Sequence, residues 1–428
     1  MLEIFSKLLR YPAIDAQHAP RDVSRKYILY ATLAGTIGAV MQFGEVIARK
    51  SLGASGFYVT LISMSMPVAS FTSIWWARLL VGRDQRKFII FLSLPAFIML
   101  LSGLLLENIH HLLMIYLIYF LFNALLATAD NRILQQHVPA KSTGRLFGLA
   151  SGMRTGVAAL VAVLAGWYMD RVTGGFRHIY PVAAVIGFIA VLQIASIPTR
   201  FIVGSEPQAI NRQLILGPLR KVIQLLRRRP DFFRFEAAFM TYGIAFMMTL
   251  PVIPLYLVDD LQLSYGAIGL VRVTIPQLIM IFTIPLCGRL FDRTSPHRMA
   301  VIVFLLLSIF PVILLSASRF EGTMQLVVVC LAFAWFGAVM SGVLVIWSLS
   351  SLRFAGEEDA GLYHSVHVAA TGVRGLIAPM LGYAVMTLLG KTTALLCSSV
   401  IWILASLAMI LVRRMDVKNG HFRSLRAA

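Results

Sequence analysis

The sequence predicts an all-α integral membrane protein whose twelve transmembrane helices form two pseudo-symmetric six-helix bundles, and three observations carry that expectation. Of 428 residues, 58% are apolar and only 13% charged, about half the charged share of an ordinary soluble domain. The apolar residues gather into twelve runs, each near the roughly 20 residues an α-helix needs to cross a hydrocarbon layer about 30 Å thick. Basic residues concentrate in alternate loops. This composition excludes a soluble globular enzyme, and it excludes a disordered chain, which needs few apolar residues and many charges.

The runs fall at 27–48, 56–79, 88–106, 111–130, 146–168, 179–198, 235–258, 265–287, 299–318, 322–350, 362–388 and 392–412. They are spans one to twelve. Each reads as a helix because lipid offers the backbone no hydrogen-bond partner, and a closed barrel would show ten-residue alternation instead. Residues 1–26 form a cytoplasmic N-terminal segment. Met1 to Lys26 carries charge throughout, so no cleavable signal is expected, and Met1 to Arg10 reads equally as a short interfacial helix or a frayed end. Residues 27–200 make the first bundle, 235–412 the second, and 413–428 a cytoplasmic tail. Between the bundles, residues 201–234 form a basic linker. Within it, Ala209 to Arg229 mixes Ile210, Leu214, Leu216, Leu219, Val222, Ile223, Leu225 and Leu226 with basic residues. That pattern suits either a helix on the inner leaflet, where Arg227, Arg228 and Arg229 meet anionic headgroups, or a solvated linker.

Net charge is +19, from 38 Lys and Arg against 19 Asp and Glu. In a soluble chain this would point to nucleic acid; here it sets topology. With the amino terminus in the cytoplasm, 29 of the basic residues lie in the terminal segments, the linker and the loops on that side, and six on the other: Arg49, Lys50, Arg171, Arg177, Arg319 and Lys391. Arg154, Arg272 and Arg374 lie within spans. The asymmetry puts both termini inside and requires an even number of spans. It implies a multi-pass plasma-membrane protein, a bacterial inner membrane being expected. The partners expected are the bilayer, a small-molecule substrate and a coupling ion, with no nucleic acid, and the chain is expected to be a monomer. Cys287, Cys330 and Cys397 sit in apolar runs without disulfide or metal-ligand spacing, so no metal and no cofactor are expected. No GxxxxGK[ST] loop occurs, which leaves an ion or solute gradient as the energy source.

The halves share short internal matches. Arg78-Leu79 recurs as Arg289-Leu290, and Arg145-Leu146-Phe147 followed by Thr155-Gly156-Val157 parallels Gly361-Leu362-Tyr363 followed by Thr371-Gly372-Val373. The stretch Gly288-Arg289-Leu290-Phe291-Asp292-Arg293-Thr294-Ser295, followed by His297 and Arg298, resembles the loop signature of the major facilitator superfamily, with Ser295 replacing its second glycine. The first-half copy is more degraded: Ala77, Val81 and Asp84 stand for glycine, aspartate and glycine, with Arg86 and Lys87 retained. Pro139 to Gly148 is similar to that family's start of span five.

The resemblance implies a secondary transporter whose two bundles alternate access to a site near the membrane midplane. Spans one, four, seven and ten would line the cavity, and two, five, eight and eleven would form the seam. Gly288, Asp292 and Arg293 would serve as a cytoplasmic latch, Asp292 accepting bonds from the opposite bundle in the outward-open state. Because Val81 cannot do the same, a single latch is expected. The chain also departs from the family's proton-coupled pattern: His111 to Asp130 lacks a mid-span arginine, Arg132 lying at its end, and Gly156 is followed by Val157 rather than proline.

The intramembrane polar residues are the candidate site. A buried arginine costs roughly 2.5 to 3.5 kcal/mol on insertion scales, and three of them with few deep carboxylates suggest an anionic ligand. Arg374 shares a stripe with His364, His367 and Thr371, each within about 80° of it on a helical projection, which reads as an anion-binding face or a hydrogen-bonded seam. Arg154 stands opposite Gly148, Gly152 and Gly156, glycines that would let a neighbouring helix approach, and so points to another surface. Arg272 is a candidate substrate contact, or it extends to the outer interface and pairs with Asp259 or Asp260. Glu45, the one carboxylate seen well inside a cavity-lining span, is the proton-coupling candidate, with a local pair to Arg49 slightly favoured as its structural account. Tyr116, Asn123 and Asp130 recur every seven residues in span four, Asn123 being the neutral substrate contact. Tyr242 and Thr249 repeat that spacing in span seven, beside Met240, Met247 and Met248, and Tyr242 is a further candidate substrate contact.

The expected function is secondary active transport of a small organic solute, an anion weakly preferred. The alternative is efflux of amphiphilic or cationic compounds, favoured by Glu45 and by many Phe and Met residues. A membrane-embedded enzyme or sensor is remote, because His110-His111 and His364 with His367 bring no convincing catalytic partner.

Overall fold

The computed structural model describes residues 21–72, 75–76, 79, 85–137, 140–197, 212–356, 358 and 360–418. The expectations placed on Met1 to Arg10, and on Ala77, Arg78, Val81 and Asp84, lie outside them. Among the described residues the chain is helical, without strands. Eleven helices are long and apolar enough to cross a membrane: Asp22–Lys50, Arg86–Leu105, Ile109–Ala127, Arg145–Arg171, Phe176–Ala195, Pro230–Asp260, Tyr265–Arg293, Pro296–Arg319, Gly322–Ala355, Leu362–Leu389 and Lys391–Lys418. They answer in order to spans one and three to twelve. Span two is represented by a shorter apolar helix, Gly56–Phe71.

Several helices outrun their apolar stretches, since backbone hydrogen bonding continues unchanged where lipid gives way to water. Span four extends to His137 and span five begins at Ala140. Span seven starts at Pro230 rather than residue 235. Proline is suited to a first helical position, where its missing N–H is not needed, and Asp231 in the first turn suits the positive end of the helix dipole. Two wide turns interrupt spans seven and eight, at Tyr256–Asp260 and Leu270–Thr274. Prolines flank both. Pro251 and Pro254 precede the first, and the ring of Pro276 would meet the carbonyl of Arg272 in a regular helix, so the chain dilates there.

Packing divides the molecule. In the first half, span one lies against five and six, and span four against two and three; in the second, span seven lies against eleven and twelve, and ten against eight and nine. The halves meet where two packs on eleven and five on eight, the seam that the resemblance implies. Missing side chains permit the closest approaches. A Cβ on Gly166 would lie 2.6 Å from the Tyr265 carbonyl oxygen, and one on Gly269 the same distance from that of Ala162. Gly148, Gly152 and Gly156, expected to receive a neighbour, face open space instead.

The linker contains the helix Arg212–Arg228. Val222 and Leu225 are buried and Ile223 is exposed, and the helix touches spans seven and eleven, so its end is docked on the second half. Arg228 reaches Glu358 at 3.1 Å, and Arg229 binds Asp231 at 2.9 Å and Glu358 at 3.2 Å. The Asp231 hydrogen bond holds the Arg229 guanidinium above the usual arginine range.

Candidate functional site

The molecule has a basic face, which carries the linker, and an opposite face. Among the described residues, the hydrogen bonds that join the halves all lie towards the opposite face. Arg49 Nε donates to Asp259 at 2.7 Å and Lys50 Nζ to the Leu263 carbonyl at 2.7 Å, while the Ser51 and Tyr265 hydroxyls stand 2.5 Å apart. Asp170, at the end of span five, accepts the backbone N–H groups of Tyr265 and Gly266, each at 2.7 Å. Deeper, Thr274 Oγ1 donates to the Ala159 carbonyl at 2.8 Å and Arg272 reaches Glu45 at 3.5 Å. Lys391 adds ion pairs to Asp259 and Asp260 within the second half.

These contacts correct two expectations. Arg272 pairs with Glu45 across the seam, not with Asp259 or Asp260, and Glu45 is not held by Arg49, which turns to Asp259. A helix places Arg49 one turn from Glu45, but the seam brings Arg272 of span eight to it at 3.5 Å, beside the Ser63 hydroxyl at 3.3 Å. Arg154 is likewise engaged, facing Asp130 at 3.7 Å and lying 5.4 Å from the Tyr30 ring centroid. The expected surplus of three buried cations therefore shrinks to one.

That one is Arg374, 5% exposed. Among the described residues no hydrogen bond or ion pair reaches it, and its Nε is buried without a partner. Its guanidinium stands 5.8 Å from the Phe239 ring centroid and 6.0 Å from that of Tyr242, distances at which a cation is attracted to a ring face. It rests on Gly243, where an added Cβ would come within 2.0 Å of Nη1. Phe239, Tyr242 and Gly243 lie three and four residues apart and share one helical face, so span seven builds a seat for the arginine of span eleven.

Two turns towards the basic face, His367 Nδ1 meets Glu236 at 2.8 and 2.9 Å. Both groups are buried, at 1% and 4% exposure. Trp347 packs against both His364 and His367, ring centroids 5.0 and 5.5 Å away. Glu236 overturns the reading of Glu45 as the one deep carboxylate in a cavity-lining span. Reading span seven from residue 235 makes Glu236 look like a helix end, whereas the true start at Pro230 carries it two turns in; Pro230 followed by Asp231 was the available signal. Asp170 was missed because a carboxylate followed by Arg171 at a span end reads as a local pair.

Tyr242 is 2% exposed, stacked on Phe304 with centroids 4.6 Å apart and planes 3° from parallel, so it acts here as a wall for Arg374. Asn123 is half-buried. Tyr116 is fully packed, its hydroxyl donating to the Met41 carbonyl at 3.0 Å. Gly288 meets nothing, and Asp292 and Arg293 are exposed. The latch expected of Gly288, Asp292 and Arg293 is unengaged among the described residues. Those residues also contain no cluster of three or more His, Cys, Asp or Glu able to hold a metal ion.

Comparison with known proteins places the chain. A family model described as Major Facilitator Superfamily matches residues 27–379 and 238–427. No curated protein matches it. Solved structures do. The nucleoside transporter NupG is 12% identical with a TM-score of 0.67, covering 91% of this chain and 98% of its own. A bacterial homologue of the human lysosomal transporter Spinster, in an inward-facing and unoccupied conformation, is 14% identical with a TM-score of 0.65 over 92% and 97%. The human organic anion transporter MFSD10 (TETRAN) is 12% identical with a TM-score of 0.61 over 91% and 99%. At these identities the likeness is one of fold.

Proposed function

The chain belongs to the major facilitator superfamily, and we propose that it is a secondary active transporter that moves a small organic anion by alternating access, its basic face being cytoplasmic. The opposite face is then outer, and the arrangement reads as inward-open: the hydrogen bonds that join the halves gather towards the outer end of the seam, while among the described residues Gly288, Asp292 and Arg293 meet no partner.

The observation that carries the anion is Arg374. A buried arginine that no hydrogen bond or ion pair reaches among the described residues is expensive, and its planar donors suit a carboxylate or another planar oxyanion. Arg154 and Arg272 already have acidic partners, so they are assigned to holding the bundles and the seam. That one protein of the same fold is an organic anion transporter agrees with this reading. Efflux of cations would need a carboxylate free to meet them, whereas Glu45 is engaged by Arg272 and Glu236 by His367. Coupling is assigned to Glu45: a proton there removes one of the bonds that span the halves. The reading is of a carrier, not an enzyme.

The test is uptake of radiolabelled organic acids, benzoate, lactate and succinate, into proteoliposomes under an imposed pH gradient. For the acid carried, Arg374→Ala should raise KM by tenfold or more, about 1.4 kcal/mol, while Arg154→Ala should act through protein yield and melting temperature. Normal anion transport by Arg374→Ala sinks the anion assignment and leaves family membership untouched.

A further inference from the structure

The two seams are copies of one another, yet only one of them is sealed towards the basic face. The match of Arg78-Leu79 with Arg289-Leu290 sets Phe282 of span eight where Phe71 stands in span two, and the match of Thr155-Gly156-Val157 with Thr371-Gly372-Val373 sets Gly156 of span five where Gly372 stands in span eleven. In the seam between spans two and eleven these positions meet: a Cβ on Gly372 would lie 2.5 Å from the Phe71 ring. In the seam between spans five and eight they do not. A Cβ on Gly156 would meet nothing within 4 Å, and Phe282 is 74% exposed. One turn further out both seams are closed, Gly375 on Pro67 and its counterpart Ala159 on Thr274. Rocking that preserves the pseudo-symmetry would part both seams alike, so it does not by itself account for a gap on one side only.

The gap runs inward from that point. Beyond Thr274 the face of span eight that meets span five continues through Leu278, Ile281 and Pro285, all within about 40° of one line and all exposed. Beyond Ala159 the facing line of span five continues through Gly152 and Gly148, exposed as well. The walls are apolar. Residues 275–288 hold no charged side chain, and the only one in 146–159, Arg154, lies about 200° round its helix from Gly152 and Gly156. At the inner rim the character changes, with Arg145, Arg289 and Arg293 exposed beside Asp292. Apolar walls under a mainly cationic rim complement a molecule with an apolar chain and an anionic head. A chain that already lies in the leaflet exchanges one set of apolar contacts for another as it enters, whereas a small water-soluble ion gains nothing from such walls.

We propose that the parted inner half of the seam between spans five and eight is a side portal to the inner leaflet, and that the substrate entering there is an amphiphilic anion, a carboxylate or similar planar oxyanion bearing an apolar chain. This narrows the organic-anion reading above, on which it rests. The head passes the arginines of the rim towards Arg374 while the chain lies between Gly148, Gly152 and Gly156 on one side and Leu278 and Phe282 on the other. Gly156 is the specificity-determining position: it leaves room for a chain where an aromatic ring fills the equivalent place in the other seam.

Photolabelling tests this in nanodiscs of phosphatidylethanolamine and phosphatidylglycerol, with two probes that share one chain: a fatty acid carrying a diazirine near the end of its chain, and the corresponding fatty alcohol. Mass spectrometry reads the ratio of acid to alcohol labelling on each peptide. Peptides from the inner half of span six, where Ile189 and Leu192 are exposed, report ordinary lipid contact. Relative to them, the acid should be in excess by about threefold or more on residues 147–156 and 278–286, with no excess at Phe71 and Gly372. Gly156→Phe should remove most of that excess, as should Phe282→Trp from the facing edge; Leu160→Phe, on an exposed face one turn away, should leave it unchanged. Because Gly156 and Phe282 have room around them, melting temperatures should stay within about 2 °C of the parent. Equal ratios on all these peptides, or an excess that neither Gly156→Phe nor Phe282→Trp reduces, overturn the portal. The two readings fail separately. If the parent shows no acid excess while Arg374→Ala still loses uptake of small acids, the portal falls and the anion stands. If the excess survives in Arg374→Ala and that variant takes up small acids normally, the anion seat at Arg374 falls and the portal stands.

Discussion

Spans five and eight look different at their two ends, although the sequence along span five does not. Gly148 and Gly166 are eighteen residues apart, five full helical turns, and Gly152 and Ala159 fall within about 40° of the same line. One face of one helix thus runs the length of the seam. At its outer end Gly166 is in backbone contact with Tyr265, and Asp170 and Ala159 bond to span eight. At its inner end Gly148 and Gly152 meet nothing within 4 Å, nor does Gly288 on span eight. The same small-residue surface is used at one end and idle at the other. A carrier that rocks about its midplane has a use for both, in turn.

The comparison can be broken most severely at Gly166. In Gly166→Leu the new Cβ would collide with the carbonyl and Cα of span eight, backbone that cannot turn aside. Outer closure should be lost, with transport down by about a hundredfold and the distance between spin labels at Glu107→Cys and Glu321→Cys, both on the outer face, lengthened. Gly152→Leu should be the complement. Its Cβ meets nothing in the inward-open state, so the melting temperature should stay within about 2 °C, as for substitutions into open space, while turnover falls about tenfold because the inner end can no longer close. Unchanged turnover in Gly152→Leu would mean that this face never becomes a contact.

A third variant tests whether the polar groups of the second half belong to the seam at all. Glu236 and His367 pair inside one bundle. His367→Ala strands a buried carboxylate, a change of about 3 to 5 kcal/mol where a buried pair is broken. It should lower the melting temperature of the detergent-purified protein by several degrees without altering the ratio of inward- to outward-open forms. The smallest effect is expected at Asp259→Asn. Its partners Arg49 and Lys391 are partly exposed, and such pairs contribute up to about 1 kcal/mol. The outward-open fraction should rise no more than about fivefold, and raising salt to about 1 M should erase the difference from the parent, the screening length there being about 3 Å.

Much of the architecture was legible because the solvent dictates it. Hydrocarbon forces every backbone polar group into an internal hydrogen bond, so runs of about 20 apolar residues can be little else than helices. The linker helix was readable from its apolar spacing, and the loop around Asp292 pointed to the family that the whole-chain match supports. The departures lie where a helix outlives its apolar run, as at Pro230, which hid Glu236.

What the sequence by itself determined is which segments are helices, how many there are, and which residues are too polar to lie in lipid without a reason. Only the tertiary structure decided who partners whom. Glu45 and Arg272 are 227 residues apart and Arg49 and Asp259 are 210 apart, and no local pattern distinguishes these pairs from the nearer ones that helical spacing suggests. Likewise, nothing in the chain separates Gly148 from Gly166. The tilt of one bundle against the other does, because contact across a seam depends on rigid-body position, a quantity to which no short stretch of sequence responds.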